Sequence, residues 1–376
     1  MKVAIVHDWL TTWAGAEKAL AELLNCFPQA EIFTTVNFLD KAAIPALQGK
    51  VIHTSFIQKL PRARKHYRQY LPLMPLAIEQ FDLKGFDLIF SSSHAVAKGV
   101  ITDPNATHIC YCYSPMRYAW DMQHQYLRQS GKEKGLISWI MRWQLHRLRQ
   151  WDYLSAQRVD HFIAISRYIQ RRIYTFYRRE ADVIYPPVDV EKFRHDTPRE
   201  GFYLTASRMV PYKRIDLVIE AFNAMPEKQL IVIGDGPDYD KLAAMAGPNV
   251  TLMGYQPDSV LIDYLERAQA FLFMAEEDFG ILPVEAQAAG APVIGYSVGG
   301  LAETILDNVT GLWVNTQTSQ ALAERIHAFE VQKQQDPNAY SAQACRQSAE
   351  RFATANFTRA IHSVVENKLA EVKNNF

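Results

Sequence analysis

Two glutamates stand eight positions apart in Ala275-Glu-Glu-Asp-Phe-Gly-Ile-Leu-Pro-Val-Glu285-Ala-Gln-Ala-Ala-Gly290. The apolar run Ala270-Phe-Leu-Phe-Met274 comes just before them and stops at the acids, as a buried strand stops at a loop. Pro283 sits where a helix takes its first residue, and the helical pattern runs through Ala289. Glu277 then hangs on the loop after a strand, and Glu285 lies in the first turn of the next helix. The N–H groups of Gly280, Ile281 and Leu282 point out of that helix end, which carries roughly half a positive charge and receives phosphate readily. Upstream, Arg208 and Lys213 lie five apart across a turn in Ala206-Ser-Arg-Met-Val-Pro-Tyr-Lys-Arg214. Such a pair suits a diphosphate and neutralises charge building on it as it leaves. Taken singly, the same pair suits a solvated helix start. Together the four side chains fit a ligand that carries both phosphates and hydroxyls.

The elements that must position them follow from the pattern of apolar runs. At 376 residues and 48% hydrophobic composition, the chain supports two cores. Lys2–Val6, Glu31–Thr35, Leu88–Ser91, His108–Tyr111 and His161–Ile165 read as strands in the first half, and 202–206, 230–233, 250–253, 270–273 and 292–295 in the second. Amphipathic stretches between them (16–25, 214–224, 238–246, 259–268, 321–329) read as helices. This is the grammar of an α/β chain with two doubly wound parallel sheets, whose ligands sit beyond the carboxyl ends of the strands in the cleft between facing domains. The seam is expected between Tyr185-Pro-Pro-Val-Asp189 and Pro198, giving domains 1–188 and 189–355. Residues 356–376 should form a helix packing back towards the first domain.

Glycine turns follow several strands. Gly234 in Ile233-Gly-Asp-Gly-Pro237 permits close approach of backbone or ligand, although a tight turn alone would also call for it. Ser297-Val-Gly-Gly300 is a second such turn. Gly15, in Trp13-Ala-Gly-Ala-Glu17, opens the first helix, a usual place for phosphate, but the GxGxxG spacing of dinucleotide binding is missing. Asp238-Tyr-Asp240 has the spacing of a metal-binding pair, yet acids at a helix start stabilise its dipole, so no metal is expected there. Cys26, Cys110, Cys112 and Cys345 form no zinc pattern and fit buried, reduced thiols.

Formal charge is zero overall but unevenly shared. Residues 1–200 hold 27 Lys and Arg against 19 Asp and Glu, and the remainder holds 13 against 21. Lys41 to Ile78 has seven basic residues and no acid, among them Lys59, Arg62, Arg64, Lys65 and Arg68, interleaved with Tyr67, Tyr70, Leu71 and Leu73. A second basic, aromatic stretch runs through Trp139, Arg142, Trp143, Arg147, Arg149 and Trp151. The mixture suits the interface of an anionic membrane, and equally a solvated face over core aromatics. No nucleic-acid motif accompanies the charge. No apolar run has the roughly 20 residues of a spanning helix, and the opening residues read as a strand rather than a signal peptide, so a cytoplasmic protein is expected.

Taken together, these residues resemble glycosyltransferase family four, which implies the two-Rossmann-domain GT-B fold. The spacing of Glu277 and Glu285, with Arg208 and Lys213 upstream, is the most specific element. Other phrases resemble WbaZ-type mannosyltransferases of O-antigen and exopolysaccharide assembly: His7-Asp-Trp-Leu, His53-Thr-Ser-Phe-Ile, Tyr70-Leu-Pro-Leu-Met-Pro, Ser92-Ser-His-Ala-Val-Ala-Lys98, Pro115-Met-Arg-Tyr-Ala-Trp120 and Glu276-Glu-Asp-Phe-Gly280. The resemblance implies a retaining, metal-independent transferase using a nucleotide sugar, GDP-mannose foremost and a UDP-sugar as the alternative. Glu277 would bond donor-sugar hydroxyls, Glu285 the ribose, and Arg208 and Lys213 the diphosphate. Gly280, Ile281 and Leu282 would cradle the distal phosphate with Gly15, while Gly234, Gly254, Tyr255 and Phe279 would border the donor. Where the family carries a histidine in the loop after the strand at His108, this chain has Tyr113, so Tyr113, or else His94, takes that place. The acceptor would be a polyprenyl-diphosphate-linked oligosaccharide at the inner face of the cytoplasmic membrane, met by Lys59, Arg62, Arg64, Lys65, Arg68 and Arg117. A non-catalytic scaffold that binds nucleotide sugars is the alternative from another class.

Overall fold

The computed structural model describes residues 1–129, 131 and 133–375, and the chain divides into two compact units. Met1–Tyr185 with Phe357–Phe376 forms the first, and Pro186–Asn356 the second. Phe376 itself, the last residue of the expected C-terminal helix, lies outside the described residues. The division falls before Pro186 rather than after Val188. Val188 belongs to the second unit because its N–H donates to the Phe352 carbonyl there, at 2.9 Å.

The first unit holds a seven-stranded sheet of β1 Val3–His7, β2 Glu31–Thr34, β3 Ile52–Thr54, β4 Leu88–Ser93, β5 Thr107–Cys112, β6 His161–Ala164 and β7 Ala181–Val183, in the order β3-β2-β1-β4-β5-β6-β7. The second holds six strands, β8 Phe202–Ala206, β9 Gln229–Ile233, β10 Val250–Leu252, β11 Ala270–Phe273, β12 Val293–Tyr296 and β13 Gly311–Val314, in the order β10-β9-β8-β11-β12-β13. Every pairing is parallel. Strands β1, β4, β5, β8 and β11 are buried along their whole length, as parallel strands covered on both faces must be. The edge strands β3 and β7 carry fewer apolar residues and were not legible as runs.

Each sheet reverses its winding once, between β1 and β4 and between β8 and β11. In sheets of this kind a crevice opens at the carboxyl ends of the strands on either side of that reversal. His7 and Ser93 end the first pair, and Ala206 and Phe273 the second. Around the sheets, Val6, Phe33 and Ile89 belong to the first unit's core, and Tyr203, Phe222, Leu272 and Phe329 to the second's. The last helix, Thr354–Asn375, gives Phe357 to the first unit, where its ring meets Tyr111 edge-on at 5.7 Å. His362 from the same helix meets Phe27 at 5.8 Å.

Candidate functional site

At the second reversal, β8 and β11 are hydrogen-bonded neighbours, so the loops that leave them are adjacent. Arg208 follows β8, is exposed, and has no ion-pair partner among the described residues. The chain then makes a single 3-10 turn, Pro211–Lys213, which ends at Arg214 in the left-handed region. That turn delivers the Lys213 ammonium to the Oε1 of Glu277, on the loop after β11. The lysine also lies 5.6 Å from the Phe273 ring centroid. Both partners are mostly shielded, with side chains 14% and 20% exposed. Shielding two charges rarely gains stability over an apolar pair, so the arrangement points to use rather than to scaffolding.

The helix after β11 spans Ile281–Ala288 with Gly280 as a left-handed cap. Pro283 is its third residue rather than its first, and the helix stops at Ala288 with Ala289 as cap. Proline is tolerated there because first-turn N–H groups have no partner inside the helix anyway. The Ile281 and Leu282 N–H groups occupy that turn. Glu285 is therefore the fifth helical residue, one turn deeper than expected. It is buried, with Oε1 3.9 Å from Nζ of Lys192, a cation to which no motif in the sequence pointed.

Two glycine turns hold this geometry. A side chain at Gly299 would strike the Glu277 carbonyl at 2.3 Å, and one at Gly300 would strike the Phe279 Cα at 2.3 Å. The Gly300 N–H donates to the Glu277 carbonyl at 2.8 Å, fixing the loop that carries the glutamate. Likewise Gly234 lets β9 abut the Arg208 segment, since a Cβ there would lie 1.9 Å from the Ser207 carbonyl oxygen. Gly234 is thus required by a backbone contact whether or not a ligand comes near. The Phe279 ring is buried and meets Phe352 at 5.4 Å. Gly254 accepts the Gly234 N–H, and Tyr255 beside it is 78% exposed.

The first reversal is built differently. Asp8, just past β1, is fully buried, and its two oxygens accept the N–H groups of His94, Ala95, Val96 and Ala97 at 2.6 to 3.0 Å. Its Oδ2 also lies 2.9 Å from Nδ1 of His94. Burial alone would raise the Asp8 pKa, but the charge and hydrogen bond of His94, with charge from His7, pull it well below the carboxylate range. Burial would lower His94; Asp8 outweighs it, Glu17 adds to the effect, and the imidazole is raised above its ordinary value. The His94 side chain remains 31% exposed and stands edge-on to Trp9 at 4.6 Å.

Tyr113 is buried, and its hydroxyl donates to the Ala16 carbonyl at 2.9 Å. Its oxygen is then left to accept from Ser92, 3.0 Å away, and Ser92 in turn accepts from Nδ1 of His7 at 2.9 Å. The hydroxyl is consumed inside this chain of bonds, whereas His94 offers a reachable ring nitrogen. Gly15 begins the helix Gly15–Cys26, but Glu17 accepts the Ala14 N–H at 2.9 Å and lies buried there, 3.7 Å from His7. A carboxylate already in that turn works against a phosphate beside Gly15. Asp8, Glu17, His7 and Ser92 were missed as a cluster. Their signal was available, since His7-Asp-Trp ends a strand at the reversal.

The basic stretch lies on short turns: Lys59 ends Phe56–Lys59, Arg64 and Lys65 lie in Ala63–His66, and Arg68 in Tyr67–Leu73. Arg62 precedes these last in the left-handed region. Arg117 stands apart from them, part-buried in the turn after β5.

Residues 13–192 match the family model described as Glycosyltransferase Family 4, and residues 188–347 the model described as Glycosyl transferases group 1. A D-inositol 3-phosphate glycosyltransferase of Mycobacterium marinum is 28% identical over 203 residues, 48% of this chain and 43% of that protein. A GDP-mannose-dependent monoacylated alpha-(1-6)-phosphatidylinositol monomannoside mannosyltransferase of Corynebacterium glutamicum is 32% identical over 199 residues, 45% of this chain and 52% of that one. The chain spans about half the length of these curated relatives. The crystal structure of Anabaena Alr3699/HepE in complex with UDP superposes with a TM-score of 0.72 at 17% identity, covering 98% of this chain and 100% of that one, a likeness of fold.

Proposed function

The chain belongs to the glycosyltransferases, family 4 by its first half and group 1 by its second, and on that premise we propose that it transfers mannose from GDP-mannose to a lipid-linked oligosaccharide. The observation that carries the reading is the shielded Lys213–Glu277 pair at the β8–β11 reversal, beside a helix start. In this role Lys213 and Arg208 bind the diphosphate and neutralise it as the sugar–phosphate bond breaks. Glu277 holds sugar hydroxyls, Glu285 takes the ribose, and the Ile281 and Leu282 N–H groups take the outer phosphate. Retention follows if the acceptor hydroxyl attacks from the face the phosphate leaves. Its oxygen bonds to the sugar's anomeric carbon, and its proton passes to the departing phosphate oxygen. The two cations provide the charge, so this scheme calls for no metal. Within the first unit, His94, whose side chain is 31% exposed, is the better placed of His94 and Tyr113 to meet a sugar hydroxyl, and Gly15 at its helix start is kept as a proposed phosphate contact.

Mannose is favoured by the name of the Corynebacterium relative, and the acceptor by that relative's lipid substrate. The second reading, a UDP-sugar donor, is favoured by the UDP in the Anabaena structure. The basic first half and the acceptor together suggest work at the inner face of the cytoplasmic membrane, in O-antigen or exopolysaccharide assembly. The test is a panel of GDP-mannose, UDP-glucose, UDP-galactose and UDP-N-acetylglucosamine, read by thermal shift and by sugar transfer to lipid-linked oligosaccharide. GDP-mannose alone should stabilise the protein and turn over. A shift with UDP-sugars only would replace the donor, and binding without transfer would favour the scaffold.

A further inference from the structure

The helix Leu136–Ala156 is turned inside out over its first two turns. Leu136 is 79% exposed, Ile137 62%, Trp139 76%, Ile140 49% and Trp143 61%, while Ser138 is the buried residue among them. A helix on a water-facing surface shows the opposite arrangement, with its apolar stripe against the core. The far half of this helix is firmly anchored. Asp152 is fully buried, pairs with the Lys98 ammonium, and accepts from Trp120 Nε1 at 2.7 Å and the Tyr177 hydroxyl at 2.8 Å. The exposed row is therefore presented on a rigid mount.

Cations stand on and beside this helix. A cavity of about 400 Å³ between this helix and Tyr67–Leu73 is lined by Arg68, Leu71, Pro72, Met141 and Leu145. Lys59, Arg62, Arg64, Lys65 and Arg68 have no ion-pair partner among the described residues. Arg147 lies 5.9 Å from the Trp143 ring centroid, itself exposed. An exposed arginine against an exposed tryptophan, with further unpaired cations in the segment that brings Arg68 to this helix, matches an anionic bilayer surface, where phosphates meet the cations and indole rings settle at headgroup depth. A second copy of the chain matches poorly, because pairing like faces would bring the two cationic segments together. No helix among the described residues is long and apolar enough to cross a membrane, so the contact is one of lying on the surface.

We propose that the helix Leu136–Ala156 lies in the plane of an anionic phospholipid surface, with Leu136, Ile137, Trp139, Ile140 and Trp143 beneath the headgroups and the Lys59–Arg68 cations against lipid phosphates. This deepens the reading of a lipid-borne acceptor and rests on it for its purpose. The test sediments the full chain with vesicles of phosphatidylcholine, with and without phosphatidylglycerol, and follows tryptophan quenching by brominated acyl chains. Binding should need the anionic lipid, weaken with salt, and quench the tryptophans. Trp139→Ser with Trp143→Ser should lower partition at least tenfold while leaving the melting temperature unchanged. Neutralising Arg64 or Lys65 should lower it about fivefold each, the equivalent of about 1 kcal/mol per cation. Equal binding to neutral vesicles, or partition untouched by the double substitution, overturns the proposal. So does a wild-type dimer that the substitutions dissolve in the absence of vesicle binding, which would make a second copy the occupant. Transfer to a detergent-dispersed acceptor separates the two readings. Turnover without vesicle binding sinks the docking helix alone, and vesicle binding without turnover from any sugar nucleotide sinks the catalytic reading alone.

Discussion

The two sheets reverse their winding at the same point in their strand order, yet the crevices that result are furnished in opposite ways. In the first, four backbone N–H groups converge and the chain fills the place with its own carboxylate, Asp8. Glu17 does the same at the neighbouring helix start. In the second, the helix start at Gly280 carries no acid in its first turn, and a carboxylate of the loop before it, Glu277, is turned to Lys213. The first crevice fills its N–H groups with its own carboxylates, whereas the second pairs a loop carboxylate with a lysine and leaves its helix start without an acid. On the function proposed above, polar groups at equivalent positions serve stability in one unit and chemistry in the other.

The sharpest way to break this contrast is to remove one charge from each crevice. Glu277→Ala or Lys213→Ala should cut sugar transfer by roughly a hundred- to a thousandfold, the usual loss for a group that stabilises developing charge. Melting temperature should barely move, and near-normal turnover would take that residue out of the site. Asp8→Asn should do the reverse. It keeps only part of the acceptor capacity for four N–H groups and loses the His94 partner, a destabilisation of about 3 kcal/mol. Denaturant unfolding would show it, and an unchanged midpoint would refute a structural role for this carboxylate. The smallest effect concerns pH. Because His94 titrates above its ordinary value when folded, its contribution is complete below the ordinary imidazole value and fades as pH rises through the raised one. Melting curves of wild type and His94→Gln should therefore differ by about 2–4 °C in mild acid and converge in alkali. A gap that stays constant across that range would mean the pair does not act through charge.

Strand runs, alternation with helices and the double use of one fold were legible because buried parallel strands are apolar throughout. Strands β3, β7 and β13 were not: β3 and β7 have a polar residue within three positions, and β13 follows its opening glycine with only three apolar residues. In the site, Glu277 and Lys213 were legible from their spacing around strand ends. Lys192 was not, because its approach to Glu285 joins residues far apart in sequence. Gly234 and Phe279 read as ligand contacts because a sequence shows that a glycine or an aromatic follows a strand. It does not show what already occupies the neighbouring space. For the same reason the sequence could not show that the Tyr113 hydroxyl is bonded to the Ala16 carbonyl.

The first unit is assembled from both ends of the chain, with the second spliced between them. On the ribosome, Tyr111 and Phe27 therefore wait for Phe357 and His362 until the whole middle of the polypeptide has been made. The later-coded unit is continuous and can close first, so the order of synthesis and the order of folding run in opposite directions. Truncation after Asn356 should leave that unit intact and strand its older neighbour half-built.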